Sequence, residues 1–137
     1  EIFNNTLRNN RTANVIISSL FSAGFSELGV SDDFDPYPEG IYIHSNSYEG
    51  GGGNPDGLEL QALKLAVAGP TGRLPNVLWD GYVDADKMVD GEMPAALRIC
   101  APDTETLNID GPNDNADIQR LTLDCTLEPL DPVELEL

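Results

Sequence analysis

The chain has 137 residues and a mass of 14.8 kDa, room for one domain, with 40% apolar residues for a core and 23% charged residues to solvate it. Seven Lys and Arg stand against 24 Asp and Glu, and the resulting formal charge of −17 is repelled by a phosphate backbone, so nucleic-acid partners are excluded. No apolar run reaches the roughly 18 to 20 residues that cross a bilayer, and no start Met or leader is visible, so the sequence reads as a soluble fragment or a processed product.

The charge is uneven. Up to Ala23 the only charges are Glu1, Arg8 and Arg11, a balance of +1, and the rest of the chain carries −18. An acidic surface of this kind keeps a protein dissolved in salty media or gathers divalent cations.

In chain order, Ala13, Ile16, Ile17, Leu20 and Ala23, with Leu7 and Phe3 before them, have the spacing of an amphipathic helix, predicted over residues 3 to 25 and closed by Gly24 and Gly29. Ser31 to Gly40, with two prolines and three aspartates, is a loop. Ile41 to His44 reads as a short strand, and Gly50 to Gly53 as a mobile connection. The alternation of Leu58, Leu60, Leu63, Leu65 and Val67 predicts a long strand with a bulge at Ala62, and Val77 to Trp79 its returning partner in a hairpin. Asp84 to Val89 suits one helical turn, and Ala95 to Cys100 and Leu121 to Leu127 suit further strands. Val133 to Leu137 alternates behind Pro129 and Pro132, as an edge strand or a segment awaiting a partner. No internal repeat is visible. The expected fold is α+β in a single domain, 1–137: an N-terminal helix (1–28), a loop-rich connection with one short strand (29–57), and an antiparallel sheet with a C-terminal tail (58–137), the helix covering one sheet face.

The two cysteines, Cys100 and Cys125, lack CxxC spacing or metal-ligand neighbours, and a structural disulfide is favoured over two buried thiols. That points to an exported protein, as do, weakly, the sequons at Asn4 and Asn10. With a single histidine, His44 at a strand end, no nucleophile–base constellation stands out, and no catalytic residue or cofactor is assigned; the chain is read as a non-enzyme. Two acidic clusters offer hard oxygen ligands for calcium. Asp80, Asp84, Asp86 and Asp90 form one, and Asp110, Asn113, Asp114, Asn115 and Asp117 form the other, preferred one, although neither has EF-hand spacing and Asx-rich turns explain both.

The string Ile17-Ser18-Ser19-Leu20-Phe21-Ser22-Ala23-Gly24-Phe25 resembles the Ala-Gly-Phe helix exit of PilW-type minor pilins and J-type pseudopilins. Asn54 to Gln61 is similar to the start of their first long strand, and the late cysteine pair to the pilin disulfide loop. The resemblance implies a type IV pilin-like headgroup in an extracellular filament or its tip, assembled with other pilin-like subunits or copies of itself. Leu7, Ala13, Ile16, Ile17 and Leu20 would be its assembly face. Ile2-Phe3-Asn4-Asn5 is no membrane segment, so membrane attachment would require a separate or removed N-terminal part. Two other classes compete: a virion or adhesin subunit assembling by strand exchange through Glu1 to Leu7 or Val133 to Leu137, and a calcium-dependent extracellular binding domain.

Overall fold

The computed structural model describes residues 1–23 and 33–131. Among the described residues there are eight strands and one α-helix. In chain order they are β1 (Ile2–Phe3), β2 (Thr6–Arg8), β3 (Val15–Ile17), β4 (Ile41–His44), β5 (Ser47–Glu49), α1 (Leu58–Ala68), β6 (Val77–Trp79), β7 (Ile99–Asn108) and β8 (Gln119–Leu123). The main sheet has the order β1-β4-β7-β6-β3, all parallel, with β8 antiparallel on the other edge of β7; β2 and β5 form a separate parallel pair. The expected N-terminal helix on an antiparallel sheet is therefore overturned on both counts.

The opening residues are strands for local reasons. Asn4 and Asn9 have φ of 56° and 53°, left-handed values that no α-helix contains and that asparagine tolerates better than most residues. The β-branched run Val15-Ile16-Ile17 then favours an extended chain, and its side chains alternate: Ile17 is buried and Ile16 exposed. Helical spacing in this stretch is a coincidence of short strands separated by bends.

These strands form a first coil that lies on a second. Ile2 is opposite Ile43, Phe3 opposite His44, Leu7 opposite Tyr48 and Arg8 opposite Glu49, one offset of 41 residues across two strands and the bend between them. The left-handed positions stack as well: Asn4 over Ser45 (φ 52°), and Asn9 over Gly50 (φ 66°). This coil-on-coil arrangement is that of a β-solenoid. The long strand β7 closes the stack. Its first residues pair with β4 and its last with β6, while β8 runs along its other edge, so the sheet folds into a half-barrel with two walls.

Between the walls lie buried Ile17, Ile43, Val77 and Ala101, with Ile2, Ile41, Trp79 and Ile99 packed against them. On the outer face of the second wall, Leu74, Leu78 and Leu107 are covered by Leu63 and Val67 of α1. The strand expected over residues 58–67 is this helix. Glu59, Gln61, Lys64 and the alanines are strong helix formers, and the phase slip at Ala62 is the 3.6-residue period that sets Leu63 and Val67 on one face. Val77–Trp79 is a strand, but it pairs in parallel with β3 and β7 and not in a hairpin.

Smaller readings divide in the same way. The strand at Ile41–His44 is present, and a 3-10 turn, Ala85–Lys87, stands where a helical turn was expected. Ala95–Leu97 is a 3-10 turn preceding β7, and β8 stops at Leu123, two residues short of Cys125. The glycine run is a packed corner, not a linker. Gly52 donates to Asn10 O and accepts from Leu74 N, both at 2.9 Å, and a Cβ there would lie 2.4 Å from Leu74 O. The C-terminal segment 133–137 and the helix stop at residues 24–29 lie outside the described residues.

Cys100 and Cys125 form a disulfide that ties the start of β7 to the chain beyond β8 across 25 residues. Loop-closure entropy makes this bond worth about 3 kcal/mol, so the C100S/C125S double variant is expected to lose about that much in urea unfolding followed by the single tryptophan, Trp79. A loss below about 1 kcal/mol would contradict it. Ile16, Leu78 and Leu107 lie in one row across the stack, yet Leu78 and Leu107 are each 1% exposed and Ile16 is 57% exposed. Leu78→Ala is therefore expected to cost about 3 kcal/mol and Ile16→Ala less than about 1 kcal/mol in the same assay; equal costs would refute the assignment of buried and open ends to the row.

Candidate functional site

The chemistry of this protein concentrates at the free edge of the first coil. β1, β2 and β3 each have one strand partner, in the second coil, and their other edges are unpaired among the described residues. Side-chain rows that run across the stack all stop here. Ile16 ends the row of Leu78 and Leu107. Phe3, 46% exposed, lies flat on His44 with ring centroids 5.3 Å apart and an interplanar angle of 3°, and Tyr42 stacks on the same imidazole at 4.1 Å. Single exposed apolar residues are ordinary on any surface, but these two are the terminal members of ordered rows.

Asparagines hold the bends in line. Asn46 Oδ1 accepts from both the backbone N–H and Nδ2 of Asn5, at 3.0 and 3.1 Å, while Asn46 Nδ2 donates to Ile2 O and His44 O at 2.9 Å. A second row runs from Asn10 through Asn14 and Asn76 to Thr104, with links of 2.8, 2.8 and 3.0 Å. Asn5 Oδ1, at the end of the first row, accepts no hydrogen bond among the described residues. Sequence reasoning missed Asn14, Asn46 and Asn76, and placed Phe3 and Asn5 only in the predicted helix and in the Glu1 to Leu7 strand-exchange segment. For Asn5 and Asn14 the signal was the recurrence of asparagine over residues 4–14, read there as sequons, whereas Asn46 and Asn76 carried none.

Arg8 pairs with Glu49 at 3.0 Å and Arg11 with Asp56 at 3.1 Å, both from the first coil to the second. All four side chains are more than half exposed, so these pairs add little stability, but the arginines make this coil the least acidic part of a chain with charge −17.

The sequence-predicted assembly residues do not share a helix face. Leu7 is half-buried in β2, Ala13 is buried, Ile16 and Ile17 point to opposite sides of β3, and Leu20 lies in a turn, its N–H donating to Pro36 O. In the preferred acidic cluster, Asp110 accepts from Asn113 Nδ2 at 2.7 Å and from the Asp117 N–H at 2.9 Å, while Asp114 and Asn115 occupy left-handed turn positions. In the other cluster, buried Asp80 accepts from the Ser19 N–H, the Ser22 hydroxyl and the Tyr82 N–H, and so pins residues 19–22 to the second wall. Among the described residues no group of three or more His, Cys, Asp or Glu side chains is placed to hold a metal ion. His44 contacts Glu1 at 2.8 Å and Ser45 at 3.0 Å, and the His44 hydrogen bond holds the Glu1 carboxyl below its ordinary range.

A cavity of about 320 Å³ lies beside the disulfide, walled by Trp79, Val83, Met93, Leu97, Ile99 and Leu123. Among the described residues Trp79 Nε1 and Glu39 Oε1 have no hydrogen-bond partner, and Glu39, Arg98, Thr122 and Asp124 add polar groups to an otherwise apolar lining. Glu39 belongs to a clasp in which Lys87 Nζ contacts Asp35, Glu39 (2.8 Å) and Asp84 (3.6 Å), joining the loop before β4 to the turn after β6.

No family model matches the chain, no curated protein matches it, and no solved structure matches it.

The hydrogen bond from Lys87, helped by one from the Tyr37 N–H, holds the Asp35 carboxyl below the usual aspartate range. A depressed carboxyl contributes stability that is present above its unfolded pKa, near 4, and is lost as the pH falls through the lower folded value. The melting temperature is expected to drop on acidification from pH 5 to pH 2, and less steeply in K87M. Parallel curves for the two proteins would show that the clasp contributes nothing to acid sensitivity.

Proposed function

We propose that this chain is a structural module of an exported, extracellular assembly, joined to its partner by strand addition along the free edge of the first coil. The observation that carries the reading is that, among the described residues, every strand of residues 2–17 has one unpaired edge, where apolar and asparagine rows end exposed. The disulfide is consistent with an oxidising compartment. The pilin-like reading expected from the sequence placed residues 1–28 in a helix, whereas residues 2–17 form strands; of its other marks, the late cysteine pair is a disulfide. The calcium-dependent alternative has no support from the Asp110 carboxylate, whose oxygens are taken by protein N–H groups. No enzymatic role is proposed.

Energetics favour a reversible contact. Burial of Phe3 and Ile16 would contribute about 1 to 2 kcal/mol each, and each new backbone hydrogen bond about 1 kcal/mol. Against this stands an association cost of at least about 4 kcal/mol, which cancels the apolar gain, so the affinity rests on the backbone hydrogen bonds; roughly eight of them, about one per residue of β1, β2 and β3, bring it to the micromolar range.

A peptide with the sequence of residues 1–17 and the changes R8E and R11E is a suitable probe, because it sets a carboxylate opposite Arg8 as Glu49 is set in the chain and brings a second one near Arg11. With a fluorescent label, it is expected to bind the full chain saturably by anisotropy, at about 10 micromolar. Binding should be lost in the F3K/I16K chain, whose melting temperature should stay within a few degrees of the parent because both residues are exposed. Absence of saturable binding, or binding indifferent to F3K/I16K, would end this reading.

A further inference from the structure

Resting on that reading, we propose that the first-coil edge takes a coil of a partner polypeptide in parallel orientation and continued register, recognised by a bend that carries an asparagine, and not an antiparallel strand from a second copy of this chain. The stack itself shows what a coil interface requires. In the first coil, Ile2-Phe3-Asn4-Asn5-Thr6-Leu7-Arg8-Asn9-Asn10 lies directly over Ile43-His44-Ser45-Asn46-Ser47-Tyr48-Glu49-Gly50-Gly51. The two segments share a pattern. An inward isoleucine and an outward ring come first, then a left-handed Asn or Ser, an invariant asparagine, a hydroxyl residue, two strand positions and a second left-handed Asn or Gly.

Each feature sets a direction or a register. The same Asn46 oxygen receives the main-chain N–H and the side-chain N–H₂ of one residue, Asn5, and in this protein that geometry occurs between coils running the same way. Asn5 Oδ1 is the corresponding acceptor one coil higher, and an asparagine amide above it would continue the row. Phe3 meets His44 face to face because the two are directly opposite in a parallel pair. The left-handed residues at Asn4 and Asn9 kink the edge twice, so a straight strand can follow β1 or β2 but not both. A coil bent at the same two places follows both. Continuity with the first–second coil interface therefore fixes the occupant: a segment with left-handed-tolerant residues five apart, asparagine after the first of them, and a carboxylate opposite Arg8.

The orientation is tested by cross-linking the probe peptide to the full chain. Because the native cysteines are joined and no other thiol is free among the described residues, a single introduced cysteine is the reactive one. Chains carrying T6C or I16C are mixed with the peptide carrying the same change, and with the opposite one, under mild oxidation. Parallel register predicts that both matched pairs form adducts at least about tenfold faster than the mismatched pairs. It also predicts that N5A in the peptide, which leaves the chain untouched, weakens binding about fivefold or more. Cross-linking at only one matched position, faster mismatched adducts, no effect of N5A, or edge-dependent dimers of the chain alone would overturn the parallel assignment. Peptide binding that disappears in F3K/I16K alongside any of these results would leave the assembly reading standing, whereas no peptide binding would end both.

Discussion

The structure depends on one constraint: two bends of the first coil must lie on two bends of the second. Asn4 over Ser45 and Asn9 over Gly50 share left-handed backbone geometry, and between them β2 and β5 pair residue for residue. A slip of one residue would move these conformations onto positions such as Phe3 or Arg8, which lack the short polar side chain that lets asparagine tolerate them, and would turn the isoleucines of β1 and β4 away from the core. The asparagine side chains secure the same register by hydrogen bonds that a shifted coil would lose. Once the bends are aligned, the placement of every row follows.

Those rows create two apolar layers from strands of two or three residues. Odd and even positions of β3, β6 and the end of β7 face opposite ways, so one wall supplies both the space between the walls and the outer face under α1. The helix covers the second and third members of the Ile16 row but leaves the first uncovered. At the other end of the stack, β8 and the disulfide close the edge of β7. Among the described residues β5 and β8 also have one strand partner each, and what sets the first-coil edge apart is its exposed Phe3 and Ile16 and its place where the chain is least acidic.

How much of this was legible depends on strand length. Ile41–His44 and Val77–Trp79 are dense in β-branched and aromatic residues and read as strands without help. β1, β2 and β3 are too short to display alternation, and across their bends Leu7, Ala13, Ile16, Ile17 and Leu20 happen to fall at helical spacing. Leu58–Ala68 failed in the opposite sense, because its five large apolar residues fitted a period of two with one slip of phase at Ala62. The nine-residue correspondence between 2–10 and 43–51 was present in the sequence but conserves one isoleucine and one asparagine outright, the remaining matches being of conformation: Asn with Ser, and Asn with Gly. Equivalence of that kind is visible only when φ is known.

The sequence by itself determined the size and the strongly acidic charge with its nearly neutral start, because these depend on composition and count alone, whereas the cysteine bond it favoured needed the approach of Cys100 and Cys125 in the fold. Tertiary structure decided that the opening residues are strands, that the sheet is parallel, and that Phe3, Asn5 and Ile16 line one edge. The physical reason is that a parallel coil gains almost nothing from its own residues. Its hydrogen bonds and its buried rows come from a neighbour 41 residues away, so the conformation of each short strand is set by contacts that no local window contains.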